Sequence, residues 1–481
     1  MKPSALLAGA LLALVPATAD AKLRVVVLTD IGNEPDDQMS LVRLLLHANA
    51  IEIEAIVPTT STWQRSKVSP EIAQGVIDGY AQALPRLRDN ASGWPDAATL
   101  RARVLSGVPR YGLAGIDADH PSSSAIGLLA AADKAIAEPL WISVWGAASV
   151  LAEALEAARR TRSKDQLAAL VAKLPVYSIS DEDDAGPWIR HAFPGLFYVV
   201  SPTNPDGADD ARATWTGISG NHFYRNGEGA DFTTVTNEWL DANVRKGPLG
   251  AHYPRFMFIM EGDTPAFLGL IPNGLKSGDH PNWGGWGGRY MLRQPPGETR
   301  PIWTQGGDSF FRVTSADTID GYTSDQATIW RWREAFQNDF AARIGWTMLP
   351  YAQANHPPQV VVNGQGGDTP IMLHARSGNT IKLDAAGSRD PDDNALSYRW
   401  IAYPEAGGDG TGPNAEVALS DPDKPATTLT VTRRCARAWL DLPQIRCPAT
   451  RQAHVILAVT DHGTPALTRY RRIIVEVSDD K

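Results

Sequence analysis

Leu23–Thr29 reads Leu-Arg-Val-Val-Val-Leu-Thr, an apolar and β-branched run without alternation, and a helical pattern begins seven residues later at Asp36. A strand with no polar face has both faces covered, which is the condition of a strand inside a parallel sheet flanked by helices. In the following segment Asp36 and Asp37 suit the positive end of a helix dipole, and Met39, Val42, Leu45 and Leu46 recur at helical spacing. The unit then repeats. Ile51–Val57 reads as a strand, with a helix after Pro70, and the alternation continues through Leu140–Trp145, Ala147–Ala158, Leu174–Ser180, Leu196–Val200 and Phe256–Met260. Serial strand–helix units predict an α/β fold with a doubly wound, mostly parallel sheet. Ile329–Leu349 reads as one helix closing it.

About 460 residues after a leader exceed what one core usually organises. The linker Asn355-His356-Pro357-Pro358 enforces extended chain. Beyond it the pattern changes to short alternating strands at Gln359–Asn363, Thr380–Asp384, Ser397–Tyr403, Ala426–Thr432, Ala453–Asp461 and Arg471–Val477, the spacing of an Ig-like β-sandwich. The expected domains are therefore 22–354 and 355–481. Ahead of them, Lys2, the apolar stretch Ala5–Val15 and small residues at Ala17, Ala19 and Ala21 have the form of a signal peptide over residues 1–21. The apolar stretch is shorter than the roughly 20 residues a membrane span needs. These features predict a secreted or periplasmic protein with no membrane span.

The chain carries 45 basic and 54 acidic residues and no Lys/Arg run, which argues against a nucleic acid polymer as partner. Cys435 and Cys447 are the two cysteines. In an oxidising compartment a disulfide is the simplest reading, two free thiols being the alternative. Several of the 15 tryptophans stand in Gly-rich surroundings, notably Trp283 and Trp286. Such rings serve either as platforms for sugar faces or as plugs at a core edge.

In open α/β sheets the ligand site lies at the carboxyl ends of the strands. The loop after the first strand is Thr29-Asp30-Ile31-Gly32-Asn33-Glu34-Pro35-Asp36-Asp37, with four carboxylates in eight residues. They repel one another unless a cation or proton neutralises them. With no histidine or cysteine nearby, a hard divalent ion fits best, and Ca2+ is the expected cofactor. An acidic helix N-terminus would account for Asp36 and Asp37 but not for Asp30.

This segment resembles the Asp-Thr-Asp-Pro-Gly-x-Asp-Asp signature of the inosine–uridine nucleoside hydrolases. Two departures are Leu28 at the first Asp position and an inserted Glu34-Pro35. The resemblance implies Asp30 and Asp37 as calcium ligands, Asp30 also as general base, and Asp36 as the holder of sugar hydroxyls. Trp145-Gly146-Ala147-Ala148 resembles the turn that supplies a carbonyl ligand, here that of Trp145, an ordinary βα turn being the other reading. Met260-Glu261-Gly262-Asp263-Thr264-Pro265 resembles the late His-Asp-Pro element, making Asp263 the last carboxylate ligand or, alternatively, a helix cap. Gly262 stands where the family has its leaving-group histidine. Candidate acids are then Glu261, His222, His280 and the carboxylates of Asp181 to Asp184, and removing such an acid costs about 10²–10⁴-fold. Asn33, Trp63, Asp183, His222, Trp283 and Trp286 complete the candidate sugar contacts.

The motifs Thr-Asp-Ile-Gly-Asn-Glu-Pro-Asp-Asp, Thr-Ser-Thr-Trp and Asn-Trp-Gly-Gly-Trp-Gly-Gly-Arg-Tyr look more closely like a secreted bacterial subfamily with a C-terminal sandwich, some members of which are named for cellulose binding. Asp384–Asp393 with Leu396–Trp400, and Ala458–Pro465, resemble polycystic-kidney-disease-type and cadherin-like sandwiches. Asp390, Asp392 and Asp393 fit either calcium or an Asp-Pro-Asp turn held by side-chain hydrogen bonds. Two functions follow as expectations: calcium-dependent hydrolysis of a glycosidic bond in an extracellular carbohydrate, glycoside or riboside, or non-catalytic carbohydrate binding on the same scaffold. The oligomeric state stays open, a homo-oligomer included.

Overall fold

The computed structural model describes residues 22–202, 213–220, 226, 229–305, 315–408, 414–433 and 450–478. Residues 1–21, expected as a signal peptide, and His222, Cys435 and Cys447 lie outside the described residues. The larger unit is built on a seven-stranded sheet in the order β2-β1-β3-β4-β5-β7-β6. Its strands are β1 Leu23–Thr29, β2 Ile51–Pro58, β3 Leu140–Val144, β4 Val176–Ser178, β5 Tyr198–Val200, β6 Met291–Arg293 and β7 Ile302–Thr304. All pairs are parallel except β6 with β7. Alternate residues of β1 enter separate cores, Val25 and Val27 one and Val26 and Leu28 the other. Helices α1 Asp36–Leu45 and α2 Pro70–Asn90 cover the first face, and those at Ser123–Ala132 and Ser149–Thr161 the second. This double covering is why β1 has no polar face.

Two expected elements differ. Phe256–Met260 is not a strand, and β5 pairs instead with β7. The segment keeps Ile259 and Met260 in the core while Met257 and Phe258 stand exposed, so its apolarity serves a rim and not a ladder. The closing helix is broken into Ala327–Trp330 and Arg333–Trp346.

The smaller unit has a four-stranded sheet, Ile371–Arg376, Thr468–Ser478, Thr450–Asp461 and Leu396–Ala402 in spatial order, facing a three-stranded one, Thr380–Asp384, Ala426–Thr432 and Glu416–Leu419. Val455, Leu457 and Val459 of the one and Leu429 and Val431 of the other share a core, so the two sheets form a sandwich. Gln359–Asn363, expected as a strand, makes only isolated bridges.

The units are welded, not tethered. Tyr403 and Tyr470 of the sandwich join the core of the larger unit, with Trp332 5.4 Å from Tyr470 and 6.1 Å from Tyr403. Buried Arg472 donates to the carbonyls of Leu275 at 2.7 Å, Trp283 at 3.2 Å and Gly284 at 2.6 Å. The Tyr403 hydroxyl donates to Asp317, which Arg289 and Arg331 also hold at 2.8 and 2.7 Å.

Candidate functional site

Because β1 and β3 are adjacent and parallel, their carboxyl ends open side by side. Backbone N–H groups of Trp145 and Gly146 donate to the Leu28 carbonyl, which seats the Trp145-Gly146 turn against the first loop. The fit is close: a Cβ on Gly146 would lie 2.8 Å from Asp30 Cβ and 2.9 Å from its nitrogen. Only glycine permits that approach. A cleft of about 400 Å³ opens here, with Asp30, Asn33, Glu34, Asp36, Asp37, Trp63, Trp145 and Asp263 of the expected residues in its wall.

Asp36, Asp37 and Asp263 are buried, and each offers a carboxylate oxygen within 4.8 Å of the others. Asp36 and Asp37 lie in the first turn of α1, while Asp263 comes from the turn before the short helix Pro265–Leu268. Asp30 adjoins the triad. Its Oδ2 accepts the Ser61 hydroxyl at 2.6 Å. Thr29 donates to Asp37 Oδ1. Burial raises the pKa of all four. Charge repulsion adds to this, from Glu34 and Asp30 on Asp36, from Asp30 and Asp36 on Asp37, and chiefly from Asp37 on Asp263. Glu34 is pushed up to about 7 by burial and then by the Asp30 charge.

Asp36 Oδ1 and Asp263 Oδ2 are buried with no hydrogen-bond partner. Bare buried carboxylate oxygens are costly unless neutralised. An all-oxygen set of this kind fits a hard divalent cation. Asp36, which the resemblance places on sugar hydroxyls, stands within the metal-competent triad, and Asp30 stands beside it.

Other expected residues turn away from the cleft. Glu261 is fully buried at a left-handed φ of 59°. Arg43 engages both of its oxygens, Tyr253 donates to it at 2.6 Å and Thr264 at 2.9 Å, so it braces the Asp263 turn and has no free face for a leaving group. Asp183 accepts from the backbone of Ala185 at 3.0 Å and Gly186 at 3.4 Å, which commits it to a helix N-terminus; burial pushes it up to about 7. Asp181 is paired with Arg190 at 2.7 Å, and Asp184 accepts from the Leu113 backbone at 2.8 Å. Trp286 packs on Phe336 and Tyr470, and Trp283 stacks on His280 at 3.7 Å beside His454. These two rings and His280 belong to the junction with the sandwich, not to a sugar platform.

The cleft also has walls the sequence did not disclose: Ile179, Trp215, Met257, Phe258 and Ile259. Glu182 is the one member of the Asp181–Asp184 run in the wall, and the local signal was the run itself. Trp63, Met257 and Phe258 make an apolar rim, 52%, 67% and 43% exposed. Where a leaving-group histidine would stand, a Cβ on Gly262 would lie 2.8 Å from Asp36 Oδ2 and 3.1 Å from the Trp215 ring. A side chain there would have to displace the Asp36 carboxylate. No helix among the described residues is long and apolar enough to cross a membrane.

Residues 24–290 match the family described as "Cellulose-binding Sde182, nucleoside hydrolase-like domain", and residues 380–477 match "Cellulose-binding protein Sde0182, C-terminal domain". A nucleoside hydrolase-related hypothetical protein from Saccharophagus degradans, described as associated with carbohydrate metabolism, is 30% identical over 95% of this chain and 100% of its own, with a TM-score of 0.77. The effector protein XOO4466 covers 69% of this chain and 95% of its own at 13% identity and a TM-score of 0.35. No curated protein matches. With both units and their order accounted for, the chain belongs to the Sde182 cellulose-binding family, a nucleoside-hydrolase-like domain followed by the family's C-terminal domain.

Proposed function

We propose that this chain is a secreted, calcium-dependent hydrolase of glycosidic bonds, acting on a carbohydrate or glycoside held in the cleft at the carboxyl ends of β1 and β3. The observation that carries the reading is the meeting of Asp30, Asp36 and Asp37 with Asp263, from far later in the chain, around two bare buried carboxylate oxygens. Asp36, Asp37 and Asp263 would hold the ion, with Asp30 beside them. When bound, calcium supplies charge stabilisation and orientation for sugar hydroxyls. Asp30 is aimed by the Ser61 hydroxyl and would take the proton of the attacking water, its burial strengthening it as a base. Bond cleavage would pass through an oxocarbenium-like state, with Trp63, Trp215 and Phe258 excluding solvent from the ring. The proton for the leaving oxygen would come from Glu34 or Glu182, the remaining carboxyls of the wall.

A second reading, non-catalytic saccharide binding, is favoured by one observation: Gly262 carries no side chain and Glu261 is bound to Arg43, so no proton donor stands where the resemblance requires one. The test is product release from nucleosides, aryl furanosides and plant-wall oligosaccharides, with and without chelator. Release abolished by chelator and by Asp30→Asn supports hydrolysis. Calcium-dependent retention on a glycan without product supports the second reading, and neither release nor retention overturns both.

A further inference from the structure

A second cleft, of about 420 Å³, lies at the opposite end of the sheet from the carboxylate cluster. Lys22 and Leu23 at the amino end of β1, Asn49 and Ala50 just before β2, and Ser92 and Gly93 just after α2 form one wall. Residues between 269 and 279 form another, and Asp368 of the smaller unit closes the third side. β1 has seven residues at about 3.3 Å each, so this cleft stands roughly 20 Å from the Asp30 loop. Clefts of about 300–1,000 Å³ where two units meet are a common form of small-ligand site.

The sandwich braces the second wall. The Tyr470 N–H donates to the Asn273 carbonyl at 2.8 Å, and Arg472 donates to that of Leu275 at 2.7 Å. A Cβ on Gly274 would lie 1.8 Å from the Tyr470 carbonyl oxygen, so the two backbones touch there. Lys276 follows at a left-handed φ of 48°, a conformation that persists for a non-glycine residue only where its surroundings impose it. Leu270, Ile271 and Pro272 give this wall an apolar face.

The polar groups of the cleft are incompletely used. Asp368 Oδ1 is buried with no hydrogen-bond partner. Lys276 Nζ stands 4.0 Å from Asp368 Oδ2, beyond hydrogen-bond reach, and the Arg471 guanidinium is engaged by the carbonyls of Gly366 and Gly367. Lys22 donates to the carbonyls of Gly93 at 2.6 Å and Ala48 at 3.4 Å, which leaves one of its three ammonium hydrogens for the cleft. Asn49 Oδ1 accepts from Arg343 at 3.1 Å, so the amide nitrogen is the donor that remains. Two ammonium groups, Lys22 and Lys276, share the cleft with two carboxylates, Asp279 and Asp368. Their charges cancel, and nothing selects an ion of either sign. Mixed donors and acceptors beside an apolar wall suit hydroxyl groups, each of which both donates and accepts, on a ring with apolar C–H faces.

We propose that this second cleft binds a short neutral saccharide, whose hydroxyls donate to Asp368 Oδ1 and accept from Lys22 and Lys276. Asp368 belongs to the smaller unit and the two lysines to the larger, so the ligand would bridge the units. The site is independent of the hydrolytic reading of the first cleft.

The experiment titrates the full chain by calorimetry with cellotetraose, xylotetraose and mannotetraose, and with an oligogalacturonate and glycine as charged comparisons. Wild type is compared with Asp368→Ala, Lys276→Ala and Trp63→Ala. The Asp368 and Lys276 side chains are 23% and 42% exposed, so both variants are expected to fold. Wild type binds at least one of the neutral sugars here, and Asp368→Ala and Lys276→Ala each weaken that event about tenfold or more, while Trp63→Ala keeps it. The rise in Tm at saturating sugar is smaller in Asp368→Ala than in Trp63→Ala. Sugar binding that only Trp63→Ala removes belongs to the first cleft and overturns the proposal, as does no binding of any neutral sugar at millimolar concentration. Preference for the oligogalacturonate or glycine over all three sugars identifies a charged ligand and overturns the saccharide assignment. Should Asp368→Ala fail to fold, Lys276→Ala decides alone.

Discussion

Arg43 on α1 and Glu261 in the Asp263 turn form a buried, two-pronged ion pair, with Nη2 to Oε1 at 3.0 Å. Arg43 also donates to the Phe336 carbonyl at 3.0 Å and lies 3.9 Å over the Phe340 ring. The pair holds two distant parts of the chain at the spacing the carboxylate cluster needs. Glu261→Ala leaves a buried guanidinium uncompensated and is expected to cost about 3–5 kcal/mol. Urea unfolding measures it; a variant of wild-type stability that loses only turnover would restore Glu261 as an acid.

The cluster sets an inverted pH dependence when no cation is present. Asp36, Asp37 and Asp263 have folded pKa values raised above 3.8, and Glu34 is raised from 4.5 to about 7. The folded state then binds more protons than the unfolded state between those limits, so stability falls as pH rises. For Glu34 the window runs from 4.5 to about 7. In chelator, Tm should decline across it; calcium should flatten the decline, and Asp263→Asn should reduce it. Thermal melts at stepped pH report all three.

Two tryptophans separate binding from stability. Trp63 stands exposed on the rim, and Trp63→Ala is expected to change stability by no more than about 0.5 kcal/mol. It should weaken saccharide affinity about tenfold, or about 1.4 kcal/mol. Trp286 fills the shared core, and Trp286→Ala should cost about 3–5 kcal/mol. Paired melting and affinity electrophoresis distinguish them; equal loss of sugar binding by both would contradict the assignment.

Gly262→Ala is a one-methyl test of the cleft. The added Cβ must move Asp36 or Trp215. Overpacking of this kind costs about 1–3 kcal/mol. Calcium affinity at the cleft should fall with it, as read by competition with a fluorescent chelator. Unchanged affinity would detach Asp36 from the ion.

Local pattern sufficed wherever one segment contains the whole cause. The unalternating β1, the acidic start of α1 and the shift to alternating strands after Pro358 each state their own environment, because burial on two faces, one face or none leaves a distinct periodicity. The nearness of Asp263 to Asp36 and Asp37 was legible only through resemblance, since no short-range rule links residues so far apart. Tertiary structure alone decided the rest. Trp286 and Trp283 sit in glycine-rich chain that reads as open loop, yet the sandwich packs over them. Glu261 looks like a site acid until Arg43 is found against it. Phe256–Met260 has strand composition, but a strand requires a free edge, and β7 occupies the one beside β5. Composition reports how much surface a residue must hide; which neighbour hides it is a property of the assembled chain.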